Sequence, residues 1–384
     1  MDGPLIIDGN LALRRDTDAG IISTNGGDLT FTGLTTLAAG QHSLDVGYGS
    51  QLILDGDISG SGGIRNTGSG TLVLNGANNT FTGGVVLDGT NVVVAHDQGL
   101  GTGTISVTNG SVSHGITYNS TGKSDFLELS NELNLAGGMT LSGNINFDHQ
   151  GTSIVSKVND MGASSGSQVA FGKDHILDGA GGFNFGRIGS YTNSGSFVFL
   201  GENTFSGGVT QASGQLFVGA DSVKDASGNI ISGALGTGAY TSNGGWLGSY
   251  SETGGGITSR RMSNQIYLNG ANIGITSSGD AKTLIWDTST IDLSSTNMAL
   301  SNNTTLSVES QFVDNQTGKP SLLAISGAGT VELKNGDNQI SGGIKVGTLS
   351  TLLATATGDV TTGAVDQGHC LLYTSDAADD GESV

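Results

Sequence analysis

Short runs of Val, Ile and Leu recur along the whole chain, each alternating with polar residues and each bounded by Gly, Asn, Ser and Thr. Alternation at a period of two places one face of an extended strand inward and the other outward. Many of these runs end in Asp-Gly or Asn-Gly: Ile7-Asp8-Gly9, Leu54-Asp55-Gly56, Leu74-Asn75-Gly76, Leu87-Asp88-Gly89, Leu177-Asp178-Gly179 and Leu268-Asn269-Gly270. Asx tolerates a left-handed backbone and Gly brings no Cβ, so the chain can turn sharply after each strand. Helical periodicity is nearly absent. Only residues 221–231 and the last fifteen residues invite a helical reading, and neither sustains it.

A longer phrase recurs three times. The first copy runs from Gly70 through Leu72, Leu74, Gly76, Asn78 and Phe81 to Gly83 and Gly84. The second runs from Gly195 through Asn203 and Phe205 to Gly207 and Gly208, and the third from Gly329 through Asn338 and Ile340 to Gly342 and Gly343. Each has a short alternating strand, an Asn/Gly turn, a Phe or Ile anchor that must point inward, a Gly-Gly step and another strand. The first two copies also share an ending, Gly99-Leu100-Gly101-Thr102-Gly103 and Ala234-Leu235-Gly236-Thr237-Gly238. Such self-similarity at long intervals is the mark of a repeat architecture.

A strand ending in Asx-Gly also suits a two-residue hairpin. Composition decides for a solenoid. Aromatic residues make up 5% of the 384, too few for a large aromatic core, whereas coils stacked at the strand spacing bury aliphatic ladders. There are 67 Gly but only 2 Pro, so the glycine serves ordered turns rather than a disordered linker. The fold class predicted is all-β, a right-handed single-stranded parallel β-helix over residues 1–369.

The net charge of −20 repels phosphate backbones and anionic membranes, which excludes nucleic acid as a partner. No dense carboxylate cluster marks a cation site. The one Cys, Cys370, excludes a disulfide framework and a Cys-based metal centre, and no cofactor motif is present. From Cys370 onward the composition breaks. The string Cys370 to Asp380 back-translates into the transposon-end adapter of a common sequencing-library method, so residues 370–384 are set aside as a translated adapter tail.

The pattern G-T-L-x-L-x-G-x-N-x-[FY]-[ST]-G-G, followed by a Val/Leu strand and A-L-G-T-G, resembles the autotransporter-associated β-strand repeat. Residues 68–103 carry it well, residues 193–238 carry it with an insertion before Gly233, and residues 327–347 carry its first half with Ile340 in place of the aromatic. The resemblance implies a passenger exported across the outer membrane of a Gram-negative-type bacterium by a C-terminal β-barrel translocator, with the repeats assisting folding during secretion. It implies surface display, carries no catalytic residues and leaves open what the surface binds. The chain is read as a structural stalk and surface adhesin, with host-cell or extracellular ligands or self-association as its partners.

The enzymatic alternative, a secreted β-helical polysaccharide lyase or glycoside hydrolase, rests on Asp148-His149 and Asp174-His175. These lie 26 residues apart, near one coil length. Stacked on one sheet, Asp148 and Asp174 would pair as acid/base groups or cation ligands. Gly122-Lys123-Ser124 imitates a phosphate loop, but Thr117 stands where its first Gly is needed. His42, His96 and His114 read as isolated surface or turn residues. Trp246 and Trp286, with Tyr240, Tyr250 and Tyr267, form a sugar-stacking platform if exposed and fill or cap coils otherwise. Unpaired strand edges at both ends of such an array predict self-association.

Overall fold

The computed structural model describes residues 5–14, 17–24, 27–88, 91–108, 114–119, 125–188, 191–270, 272–314 and 320–354. Among them every regular element is a strand. Parallel sheets stack as a β-solenoid of about 13 turns. The adapter-like tail, the phosphate-loop mimic and Gly89 lie outside the described residues.

The chain divides into two compact units, residues 1–197 with 205–207, and residues 198–204 with 208–384. In the first, one parallel sheet runs from Leu5–Ile7 to Gly182–Phe185 and a second from Leu11–Leu13 to His175–Asp178. A third begins at Leu127–Leu129 and continues through Ile145–Phe147 and Gln168–Phe171. In register, Leu52, Leu72, Val92, Ile116 and Leu141 form one inward ladder, one residue per coil, all 0–1% exposed. Each such side chain removed from water contributes about 1.5–3 kcal/mol.

The interior of the first unit is more aromatic than the composition predicts. Phe147 stacks on Phe171 at 5.4 Å, Phe183 meets the Phe205 ring edge-on at 5.0 Å, and Phe185 lies 4.7 Å from Phe197. All six are buried. The scarce Phe residues are concentrated in a few successive coils, so an average over the chain hides them.

In the second unit one sheet runs from Val209–Gln211 to Gln311–Asp314, a second from Gln215–Val218 to Ile344–Val346, and a third from Ser259–Met262 to Thr351–Ala354. Met262, Trp286, Val308 and Leu333 form one of its inward ladders. Residues 221–231, the segment with the faint helical look, contribute instead to an antiparallel hairpin of Val223–Lys224 and Ile230–Ser232.

Coil length varies. It is 20 residues across Asp55 and Asn75, whose side chains bond at 2.6 Å, and 26 across Asn243 and Asn269, bonded at 3.1 Å. Extra residues are absorbed in turns while the strands keep register, which is why no fixed period is readable in the sequence.

Candidate functional site

The three repeat copies occupy equivalent positions. Phe81, Phe205 and Ile340 are buried anchors, at 0%, 0% and 3% exposure. Two residues before each anchor stands a buried Asn: Asn79, Asn203 and Asn338. The Asn79 Oδ1 accepts the Ile58 amide at 2.7 Å and its Nδ2 donates to the Gly99 carbonyl at 2.8 Å. Asn203 Nδ2 donates to the Ala234 carbonyl at 2.8 Å, and Asn338 Oδ1 accepts the Phe312 amide at 2.8 Å. The sequence reading of the first copy singles out Asn78, and the structure corrects it. Asn78 is exposed and bonds Asp57, whereas Asn79 is the counterpart of Asn203 and Asn338. Counting back from the anchor, rather than forward from Gly76, finds the right residue.

The glycines have two separate causes. A Cβ on Gly83 would come 2.3 Å from the Gly62 carbonyl carbon, and one on Gly207 2.5 Å from that of Gly181, so the first Gly of each step permits close stacking. Gly84, Gly208 and Gly343 have φ of 77°, 76° and 82°, so the second permits a left-handed turn. Gly70, Gly195 and Gly329 each lie against backbone oxygens of a neighbouring turn, which a Cβ would approach to 2.2–2.6 Å. At Gly56 and Gly76 the reason is likewise close approach, not a positive φ.

Asp148 and Asp174 do not pair. Ile145 registers with Val169 and Phe147 with Phe171, so the coil here is 24 residues long and Asp148 stands beside Gly172. Asp174 lies two residues further on, half in solvent, ion-paired with its neighbour Lys173. The arrangement that the carbohydrate-enzyme alternative requires is absent at this pair.

The histidines are what come together. The His149 and His175 rings meet edge-on at 5.6 Å. His175 is fully buried, and its Nδ1 donates to the Phe147 carbonyl at 3.0 Å. Its Nε2 accepts the Ser153 hydroxyl at 2.7 Å, while Ser153 Oγ accepts the Leu133 amide at 2.7 Å. Burial pushes the His175 imidazole below its ordinary pKa, opposed by the Phe147 carbonyl; His149 adds to the lowering and Asp148 opposes it. A Ser–His contact suggests a nucleophile and its base. Here both side chains are at 0% exposure and the second nitrogen faces a carbonyl, so the pair fills and fastens the coil interior.

His42 is also buried, with Nε2 2.9 Å from the Ala38 carbonyl, not the surface residue its isolation suggests. An open groove of about 700 Å³ in the first unit is lined by Gln41, Ser61, Arg65, Gly83, Val86 and Thr108. The Arg65 guanidinium is engaged by Asp88. Among the described residues no group of three or more His, Cys, Asp or Glu is placed to hold a metal ion.

The five aromatics sort by depth, with Tyr250 half-buried between two interior and two exposed rings. Trp286 and Tyr240 are interior, and the Tyr240 hydroxyl donates to Gln211 Oε1 at 2.7 Å. Trp246 and Tyr267 are 38% and 39% exposed, on different sheets. No protein-family model, curated protein or solved structure matches this chain.

Proposed function

We propose that the chain is a structural and adhesive passenger segment of an autotransporter-like secreted protein, displayed at the cell surface by a β-barrel translocator, and that it is not an enzyme. The observation that carries this reading is the recurrence of one geometry in three copies, a buried anchor with a buried Asn two residues before it. At Asn79, Asn203 and Asn338 the amide is bonded to backbone elsewhere in the stack. A coil closed in this way offers the next one fixed donors and acceptors. A chain that emerges from a pore in extended form can then order one coil at a time, because each repeat needs only its neighbour.

The test joins the chain behind a secretion leader and ahead of an autotransporter β-barrel, and labels intact cells with antibody. Display at the surface with a protease-resistant core is expected. The pair Asn79→Ala with Phe81→Ser should reduce display more than Leu141→Ser, which empties an equally buried position outside the copies. Retention of the chain inside the cell, or equal loss from both variants, would refute the assignment.

A further inference from the structure

Trp246 points outward from the second sheet of the second unit, in a column that registers Gln215, Trp246, Gly274, Ala299 and Ser326. Its indole covers the backbone of the next coil. A Cβ on Gly274 would lie 2.0 Å from Trp246 Cδ2 and 2.2 Å from Cε3, so only glycine lets the ring settle there. Beyond it Ala299 and Ser326 keep the surface low. The column holds no charged side chain in a protein of net charge −20. Two residues along the strands, on the same face, Asn297 Nδ2 donates to Asn272 Oδ1 at 3.1 Å, and Ser326 Oγ donates to Asn297 Oδ1 at 3.3 Å. Both Asn residues are exposed.

We propose that this face binds a neutral glycan, with a sugar ring stacked on Trp246 and its hydroxyls met by the Asn272–Asn297 pair. An indole presents a flat apolar body at low conformational cost, and exposed amides supply donors and acceptors within one sugar's reach. A protein partner is a poorer fit. A stable interface needs roughly 800 Å² on each side around an apolar core. Here the neighbouring Phe217, 6.3 Å from the Tyr250 ring, is only 8% exposed and Tyr250 is half-buried, so the column presents one exposed indole rather than a broad apolar core. The Trp246 column carries no charge, and the exposed Lys345 stands two coils beyond Asn297 in the amide column, so the surface around the indole offers no cation to pair with a uronate, which the acidic protein would repel.

The role of this glycan rests on the adhesive part of the proposed function. Its binding test uses the purified full chain and does not depend on display, so failure of either is separable. The protein holds two tryptophans, one exposed and one buried, and emission from Trp286 reports the fold while Trp246 reports the surface. Cellohexaose, maltohexaose and chitohexaose are titrated with acrylamide quenching as the readout. At least one is expected to protect Trp246. Trp246→Ala should weaken binding roughly tenfold or more, measured by calorimetry, with Trp286 emission unchanged. No binding by any of the three, or undiminished binding by Trp246→Ala, would overturn the proposal. So would Trp246-dependent binding of polygalacturonate in preference to them, or a sedimentation shift showing that Trp246 holds two copies of the chain together.

Discussion

The Asn79 carboxamide takes the Ile58 amide at 2.7 Å, across a coil boundary, with neither residue exposed. The same side chain donates to Gly99, so one amide fastens three levels of the stack. Asn79→Ala leaves a buried donor and a buried acceptor without partners, a loss of roughly 2–6 kcal/mol at about 1–3 per group. Asn78→Ala, one residue away and exposed, should change stability by less than about 0.5 kcal/mol. Denaturant melts give the magnitudes. Amide exchange at Ile58 should accelerate in Asn79→Ala and stay slow in Asn78→Ala.

Gly84 and Gly343 share a left-handed backbone but not a neighbourhood. A Cβ on Gly84 would come 2.3 Å from the Thr104 carbonyl oxygen, while nothing lies within 4 Å of one on Gly343. Gly343→Ala should therefore cost only the conformational strain, about 1–2 kcal/mol. Gly84→Ala adds a backbone collision and should cost clearly more, seen as a lower denaturation midpoint or loss of soluble protein. Equal effects would show that strain alone decides.

The fold class was legible in the sequence because alternation and turn chemistry are local. The anchors Phe81, Phe205 and Ile340 stand out for the same reason. Register across coils is not local. A 26-residue spacing looked like one coil, and the actual 24 sets Asp148 against Gly172 rather than Asp174. Composition also misled, since 5% aromatic residues predict an aliphatic interior while Phe147, Phe171, Phe183 and Phe205 gather in adjacent coils. The outward Trp246 and the inward Trp286 differ only in strand phase, which neither flanking sequence declares.

His175 makes stability depend on pH. It is held neutral, with its folded pKa lowered mainly by burial, partly by His149, and opposed by the Phe147 carbonyl and by Asp148. The unfolded chain titrates near the ordinary value of about 6.5. Between the two values the unfolded state binds the extra proton, so stability is full above about pH 6.5 and falls as the pH drops toward the folded value. His175→Gln removes the charge change and should flatten this slope while lowering stability at pH 7.5. Denaturant midpoints for both proteins from pH 8 to 5 check it, and an unchanged slope would exclude His175 as the source.

The insertion in the second copy has a structural use that its sequence does not announce. The third sheet of the second unit begins at Ser259–Met262, and a first strand has a free edge. The residues leading into the hairpin cover it. Asp221 Oδ1 accepts the Arg261 amide at 2.8 Å, the Ser222 amide donates to the Arg261 carbonyl at 2.9 Å, and Ser222 Oγ accepts the Ser263 amide at 3.0 Å. From the hairpin itself, Lys224 Nζ donates to the Asp287 carbonyl at 2.9 Å. Asp287 in turn shares the Arg261 guanidinium with Glu309, at 2.7 Å to each. Covering an edge in this way prevents it from pairing with another chain. Asp221→Ala with Ser222→Ala should free two amide groups, so exchange at Arg261 and Ser263 should rise while Ile285 in the next strand stays protected. The same variant should associate at lower concentration than the parent, since its exposed edge becomes a template. Faster exchange without association would mean that side chains on the strand, Arg261 foremost, are enough to keep the edge solitary.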